Sequence, residues 1–438
     1  MEPREIKRII SESAVQYLLL QFTDILGQLK GVEVGKGRLD EVLANPLAID
    51  ASAMSGPFRD IEADGRLKPD MNTFSLLPNL NQKPRGARLI ADLILPDGSP
   101  SESCPRRILR CVNQKLLDIG ISLRFSSEVE FYIFPIDPDG NADLDTADAS
   151  GYLDFSAGEP GQDFRREVIG CLEQMGLQIH HAHHEISPGQ HEIGLMALPA
   201  LECADAIVTL RFVTKAIAKR HGFIATFMPK PIFGSAGSGM HISISATKGN
   251  QDAFSDSRGD LSTLATRFMA GILSHGEGLC LLFNPLVNSY KRLVPGHEAP
   301  THIYWSKRNT EPFIRVPDHG SEPAAMEVRG PDPSCNPYLS LAALIAAGFH
   351  GIDEKFDPWE SVEKDIYKLS GREMGRLRIK KLPANLGEAV GEFEKDKVLA
   401  NQLGRVISKT LAKAKAEEWR SYIRQVHPWE LNRYLVKT

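Results

Sequence analysis

An α+β fold of two unequal domains is what this sequence predicts, and three observations carry it. The chain has 438 residues, more than one hydrophobic core usually organises. A single breaker-rich stretch, Ser99 to Pro105, interrupts the pattern early. Beyond it, strand-like alternation and helical spacing follow one another irregularly, unlike the steady βαβ rhythm of a parallel-sheet protein.

In chain order, an amphipathic helical pattern begins at Ile6, and strand alternation follows at Tyr17–Phe22, Gly31–Val34 and Ala87–Leu95, the last closed by a Pro-Asp-Gly turn. The run Pro-Ser-Glu-Ser-Cys-Pro then sets the boundary, so that residues 1–104 form the small domain and 105–438 the large one. Helical spacing marks Arg106–Ile119, Phe164–Met175, Cys203–His221 and Leu261–His275. From Lys397 a long helical pattern runs into a tail carrying Trp429, Leu431, Tyr434 and Leu435. Two readings of that tail stay open: it caps its own domain, or it docks on a partner subunit.

Composition excludes several functions. Hydrophobic residues make up 42% and charged residues 24%, the balance of a packed globular protein. Lysine plus arginine total 51 against 56 aspartate plus glutamate, a net charge of -5, so no nucleic-acid partner is implied. The N-terminal segment is charged where a secretory signal would be apolar, and no run suffices for a membrane span, which gives the expectation of a cytoplasmic protein. Six cysteines, at 104, 111, 171, 203, 280 and 335, form no CxxC pair and read as reduced thiols.

Four segments carry chemistry. In Ser127-Glu128-Val129-Glu130-Phe131-Tyr132-Ile133, the two-residue period of a strand puts Glu128 and Glu130 on one face and Val129, Phe131 and Ile133 on the other. Two like charges beside apolar bulk call for a compensating cation, although a solvated edge strand would show the same alternation. In His184-Glu185-Ile186-Ser187-Pro188-Gly189-Gln190-His191-Glu192, the Ser-Pro-Gly turn folds Glu185 back toward Glu192. The histidines at 180, 181, 183 and 184 do not fit a helical zinc motif, and most are read as packing or hydrogen-bonding groups. The glycine-rich stretch 234–239 feeds a strand with His241, Ser243 and Ser245 on one face. Finally, Glu327 and Arg329 alternate with Met326 and Val328. Five glutamates and one histidine make an oxygen-rich set suited to two Mg²⁺ or Mn²⁺ ions, and two such ions suit phosphoryl transfer.

These segments, in this order, resemble glutamine synthetases of the shorter type I, along essentially the whole chain. The resemblance is carried by Leu20–Gly27, His184–Glu192, Ala225–Pro231, Asn288–Pro300 and Val426–Glu430. It implies a β-grasp-like small domain and a catalytic domain built on a curved antiparallel sheet. It also implies ATP-dependent joining of the glutamate γ-carboxylate to ammonia through a γ-glutamyl phosphate. By the same resemblance Glu130, Glu185 and Glu192 would hold one metal, and Glu128, His241 and Glu327 the other. Arg292 and Arg329 would hold glutamate, with Gly237 beside it, and Arg329 and Ser245 would lie on the nucleotide side. Glu298 would close a flap and take a proton from the nitrogen, while Asp50, supplied by a neighbouring subunit, would bind ammonium. The implied assembly is a dodecamer of two hexameric rings, with the C-terminal tail docked into the opposite ring.

The chain departs from the family's pattern at four positions. Ala53 stands where a serine helps bind ammonium, Ala236 where an asparagine lies near the glutamate amino group, and Thr310 and Ala325 where arginines contact phosphate. Lys307 or Arg308 is the expected substitute for the arginine at 310. Since loss of a cation at a transferring phosphoryl group costs several kcal/mol, roughly orders of magnitude in rate, two further readings accompany ammonia ligation. One is a γ-glutamyl ligase for a larger amine, such as an alkylamine, ethanolamine or a polyamine, and the other a catalytically weak regulatory homologue.

Overall fold

The computed structural model describes residues 1–51, 64–78, 85–145, 148–155, 159, 161–317 and 324–436. Its first sheet is built from β1 (Tyr17–Thr23), β2 (Leu29–Gly35), β3 (Leu47–Asp50), β4 (Asp64–Leu76) and β5 (Gly86–Ile94), in the order β2-β1-β5-β4-β3. Only the central β1–β5 pair is parallel. Helix α1 (Pro3–Glu12) starts with proline in its first turn, where no amide partner is lost, and buries Ile6 and Ile10. With α2 (Leu39–Ala44) it covers a core of Leu18, Leu20, Leu67, Leu89 and Leu93. Strand β3 is only four residues long, and β4 carries too many polar residues to have been read from alternation: it contains Asp64, Lys68, Asp70 and Asn72, and its register shifts between Asp70 and Ser75.

The second sheet is organised by β6 (Ile121–Pro135), a 15-residue strand whose apolar face, including Phe125, Val129 and Phe131, is buried against helices. Those helices include α3 (Pro105–Asp118), α4 (Gln162–Gln174) and α5 (Ala200–Arg220). Strands β7 (Ile179–His184) and β8 (Gln190–Leu195) extend the sheet on one side of β6. On the other side lie the strand Met240–Lys248 and then the short strands Met326–Val328, Ile314–Arg315 and Trp305–Ser306. The α+β expectation holds, and the expected helices end within a few residues of the observed ones. The helix read from Leu261 starts at Thr263 because Ser262 caps it, its hydroxyl accepting from the Ala265 amide at 3.1 Å.

The long helical pattern read from Lys397 is interrupted twice. Gly404, at φ +84°, separates the helix Lys397–Leu403 from Arg405–Tyr422, and Pro428 opens a last short helix, Pro428–Tyr434. Among the described residues no helix is long and apolar enough to cross a membrane.

Candidate active site

The polar faces of the central strands open into one cavity of about 970 Å³. Antiparallel register explains why its acids converge. His241 stands opposite Glu128 and Glu192 opposite Glu130, while Glu327 lies across from Ser243. Glu185 follows β7 into the Ser187–Gly189 turn, and its amide donates to the Gln190 carbonyl at 2.8 Å, closing that turn beside Glu192. All six residues expected to hold metal line the cavity, together with Gly237, Arg292, Glu298 and Arg329.

Within this cavity the two expected metal sets differ. One oxygen or nitrogen from each of Glu128, His241 and Glu327 lies within 4.8 Å of the others. His241 Nδ1 sits 3.5 Å from Glu128 and 3.2 Å from Glu327. In the other set, Glu130 accepts from the Gly239 amide at 2.9 Å and from the Gln190 side-chain amide at 3.0 Å. Glu192 instead turns toward His181 and His183, at 2.7 and 3.2 Å.

Burial acts strongly on these carboxyls. It pushes Glu185 up to about 8, helped by the charges of Glu130 and Glu192, and it also raises Glu130. Burial would raise Glu192 too, but hydrogen bonds from His181 and His183 hold it down to about 2. Glu128 is likewise lowered despite burial, by its hydrogen bond with His241. Acids held above their usual range by burial and mutual repulsion are what a divalent cation relieves, and a donor set of carboxylates with one imidazole fits Mg²⁺ or Mn²⁺.

The glycine loop lets these groups meet. A Cβ on Gly237 would lie 2.7 Å from Arg292 Cγ and 2.8 Å from the Pro229 carbonyl, and one on Gly239 would lie 2.8 Å from Arg292 Nη2. Arg292 is buried and donates to the carbonyls of Gly330 and Arg329, at 3.1 and 3.0 Å, which fixes its guanidinium at the cavity wall. Arg329 donates to Glu327, and among the described residues its buried Nε has no acceptor. Glu298 sits in the left-handed region at φ +56°, a strained setting for a glutamate, directly after Gly296 and His297.

Two expected site residues are not in this wall. Asp50 lies exposed at the end of β3, and Ser245 continues the polar face of its strand beyond Ser243 and away from the cavity. Ala53 lies outside the described residues. Of the other departures, Ala236 and Thr310 line the cavity and Ala325 does not. Neither Lys307 nor Arg308 lines it: Lys307 points toward Asp260, 3.9 Å away, whereas Arg315, whose Nη1 is 3.8 Å from Glu327, lines the same cavity as Thr310. The strand Ile314–Arg315 has only two residues, too few to show alternation in the sequence.

Sequence reasoning also passed over Gln190 and a buried pair behind the site. His184 Nε2 meets Asp148 at 2.8 Å and its Nδ1 donates to the Glu185 carbonyl at 2.6 Å, so the ring braces the backbone that carries Glu185. The Asp148 carboxyl is held well below the usual range by His184 and two backbone amides, which outweigh its burial, and His184 is raised against its own burial by Asp148 and the Glu185 carbonyl. Asp148 lies 36 residues upstream in a stretch without periodicity, which no local signal would have joined to the site.

Comparison with known proteins follows the same outline. A family model described as the glutamine synthetase catalytic domain matches residues 102–434, and one described as the glutamine synthetase beta-Grasp domain matches residues 14–96. A glutamine synthetase of Thermus thermophilus is 43% identical over 438 residues, covering 99% of this chain and 98% of the relative. A glutamine synthetase of Halobacterium salinarum is 42% identical over 432 residues, covering 98% and 95%. Among solved structures, a GmaS/ADP complex is similar with a TM-score of 0.88 at 32% identity, covering 98% of this chain and 99% of that one. An apo GmaS gives 0.86 at 32% identity, covering 98% of each.

Proposed function

The chain belongs to the glutamine synthetase family, and from that premise we propose that it joins the glutamate γ-carboxylate to ammonia through a γ-glutamyl phosphate, forming glutamine, ADP and phosphate. At the coarser level it is an ATP-dependent glutamate–ammonia or glutamate–amine ligase. One observation carries the finer reading: five glutamates and His241 share a cavity wall with Arg292 and Arg329, so acceptors for cations face donors for carboxylates.

Glu130, Glu185 and Glu192 would hold one divalent cation and Glu128, His241 and Glu327 another, and such cations would supply charge neutralisation for the phosphates of ATP. Arg292, fixed by two backbone carbonyls, and Arg329, with a buried N–H to spare, hold the carboxylates of glutamate. Gly237 keeps the wall thin enough for the substrate to reach Arg292. The γ-carboxylate oxygen attacks the γ-phosphorus, the bond to the bridging oxygen breaks, and ADP leaves. The nitrogen then attacks the acyl carbon, phosphate departs, and Glu298 takes the nitrogen's proton. Because an acyl phosphate hydrolyses readily, the segment carrying Glu298 also excludes water. Ser245 and Arg329 serve the nucleotide side.

Asp50 completes the site from a neighbouring subunit, since it lies outside the cavity of its own chain. This reading takes residues 1–104 and 105–438 as the two domains and a dodecamer of two rings as the assembly. The exposed apolar tail supports it: Trp429 is 64% exposed, Leu435 72% and Val426 66%. A site completed between subunits, a charged composition and no membrane-spanning helix among the described residues accord with a cytoplasmic ring.

A second reading, ligation of a larger amine, is favoured by Tyr152, Ile186 and Ala236 in the cavity wall, which offer apolar contact to an alkyl chain. The test is phosphate release from ATP with glutamate and, in turn, ammonium, methylamine, ethanolamine and putrescine. Strong preference for ammonium establishes glutamine synthesis. Preference for an amine establishes the second reading, and no glutamate-dependent release with any of them refutes both in favour of a regulatory homologue.

A further inference from the structure

Two histidines with no part in the reaction above face the same cavity. His181 and His183 stand two residues apart on β7, so strand alternation turns both rings to one side. The rings stack at 5.5 Å with an interplanar angle of 11°. Directly across the sheet from His183 is Glu192, on β8. His181 Nε2 lies 2.7 Å and His183 Nε2 3.2 Å from the same oxygen, Glu192 Oε1. One nitrogen from each ring and one Glu192 oxygen all fall within 4.8 Å of one another.

The outer edge of each ring is also tied. His183 Nδ1 donates to the His184 carbonyl at 3.1 Å, and His181 Nδ1 is hydrogen-bonded to His180 Nδ1 at 2.6 Å. Both inner nitrogens are thereby presented to Glu192. Anchoring the far nitrogen of an imidazole on a neighbouring group is how metal-ligating histidines are oriented. A further donor is within reach, since Glu185 Oε1 is 3.6 Å from the His183 ring.

We propose that His181, His183 and Glu192 form a binding site for a borderline transition-metal ion such as Zn²⁺ or Co²⁺, distinct in ligand chemistry from the oxygen-rich sites for Mg²⁺. Two imidazoles and one carboxylate suit such an ion, whereas Mg²⁺ prefers oxygen donors in octahedral geometry. The ion takes the place of the protons that the rings share with Glu192. Glu192 cannot serve this site and the Glu130–Glu185–Glu192 set in the same geometry, so occupancy of one opposes the other. That competition rests on the metal assignment of the proposed function, while the binding itself does not.

The experiment is calorimetric titration of the full-length protein with Zn²⁺, and with Co²⁺ followed by its visible absorption, in a large excess of Mg²⁺. The wild type should take up one ion per chain. His181→Gln keeps a donor for Glu192 but removes the imidazole, and should weaken Zn²⁺ binding at least tenfold. Thermal unfolding and light scattering confirm that the variant is folded and assembled. As a second variant, Gly194→Ala places a Cβ 2.5 Å from the His181 ring and should weaken binding by displacing it. Equal Zn²⁺ affinity in the wild type and a folded His181→Gln, or no Zn²⁺ uptake above Mg²⁺, overturns the proposal. If Zn²⁺ binds through His181 but glutamate-dependent phosphate release is absent with Mg²⁺ alone, the catalytic reading fails and the metal site stands.

Discussion

Single side chains around the cavity are set against one another more than against water, so their removal has separable consequences. Glu130→Ala and Glu327→Ala each take one carboxylate from a different proposed cation set. Both should abolish turnover and shift the Mg²⁺ dependence to higher concentration, as measured by phosphate release across a Mg²⁺ series. Unaltered Mg²⁺ dependence in both would sink the assignment. Behind the site, the Asp148–His184 pair gives a pH-dependent contribution to stability. Asp148 is depressed in the folded state, so its share is present above the ordinary carboxylate value and lost as pH falls through its folded one. His184 is raised, so its share is complete below the ordinary imidazole value and lost as pH climbs through its folded one. The pair therefore contributes most between about pH 4 and about 6.5. Asp148→Asn should lower stability by about 1–3 kcal/mol in that window. The difference from wild type should shrink at pH 9.5, as followed by urea unfolding.

At the scale of elements, close packing of backbones decides what a residue can be. Helix Thr263–Ser274 crosses helix Pro337–Asp353 at glycines on both sides: a Cβ on Gly271 would lie 2.2 Å from the Ala347 carbonyl, and one on Gly351 would lie 2.2 Å from the Arg267 carbonyl. Neither clash involves a side chain that can swing away, so the helices must separate. Gly271→Ala should destabilise the protein by about 1–3 kcal/mol or more despite alanine's better helix propensity. Denaturant unfolding checks this, and an unchanged midpoint would mean that the crossing is looser than the structure has it. Local reading of these elements was largely sound because apolar periodicity is a property of neighbours in the chain. It failed for β4, whose polar content hides a 13-residue strand, and for the C-terminal pattern, where Gly404 turns the chain at a left-handed angle between two helices.

For the whole molecule, a buried cation ties the first sheet to the helices packed behind the second. Arg106 donates to Asp70 and Asp92 from the first sheet, at 2.8 and 3.0 Å, and to Asp205 on α5 at 2.9 and 2.8 Å. Tyr338 adds a bond to Asp205 at 2.7 Å. Arg106→Met leaves three carboxylates facing one another and should cost about 3–5 kcal/mol, with part recovered in Arg106→Met/Asp205→Leu. No recovery in the double variant would show that Asp205 is not the partner whose isolation costs most. The exposed tail belongs to the same scale. Deleting residues 426–438 should weaken the proposed ring-to-ring pairing without unfolding the chain, and light scattering that finds the same assembly with and without the tail would assign the tail to its own domain.

The sequence by itself determined which side chains share a face, because alternation along a strand is fixed by the backbone: Glu128 with Glu130, Glu327 with Arg329, and His241 with Ser243 were legible from spacing. Resemblance along the chain then supplied the family and the expected roles. Only the tertiary structure decided which faces meet. The pairing of β7 with β8 brings His181 and His183 onto Glu192, a partner that strand-by-strand reading of packing or hydrogen-bonding histidines does not name. Arg315, rather than Lys307 or Arg308, lines the cavity that Thr310 lines, and Asp50 stays outside the cavity of its own chain. Reach, register and partner choice depend on contacts between residues far apart in sequence, and the physics of a local segment does not contain them.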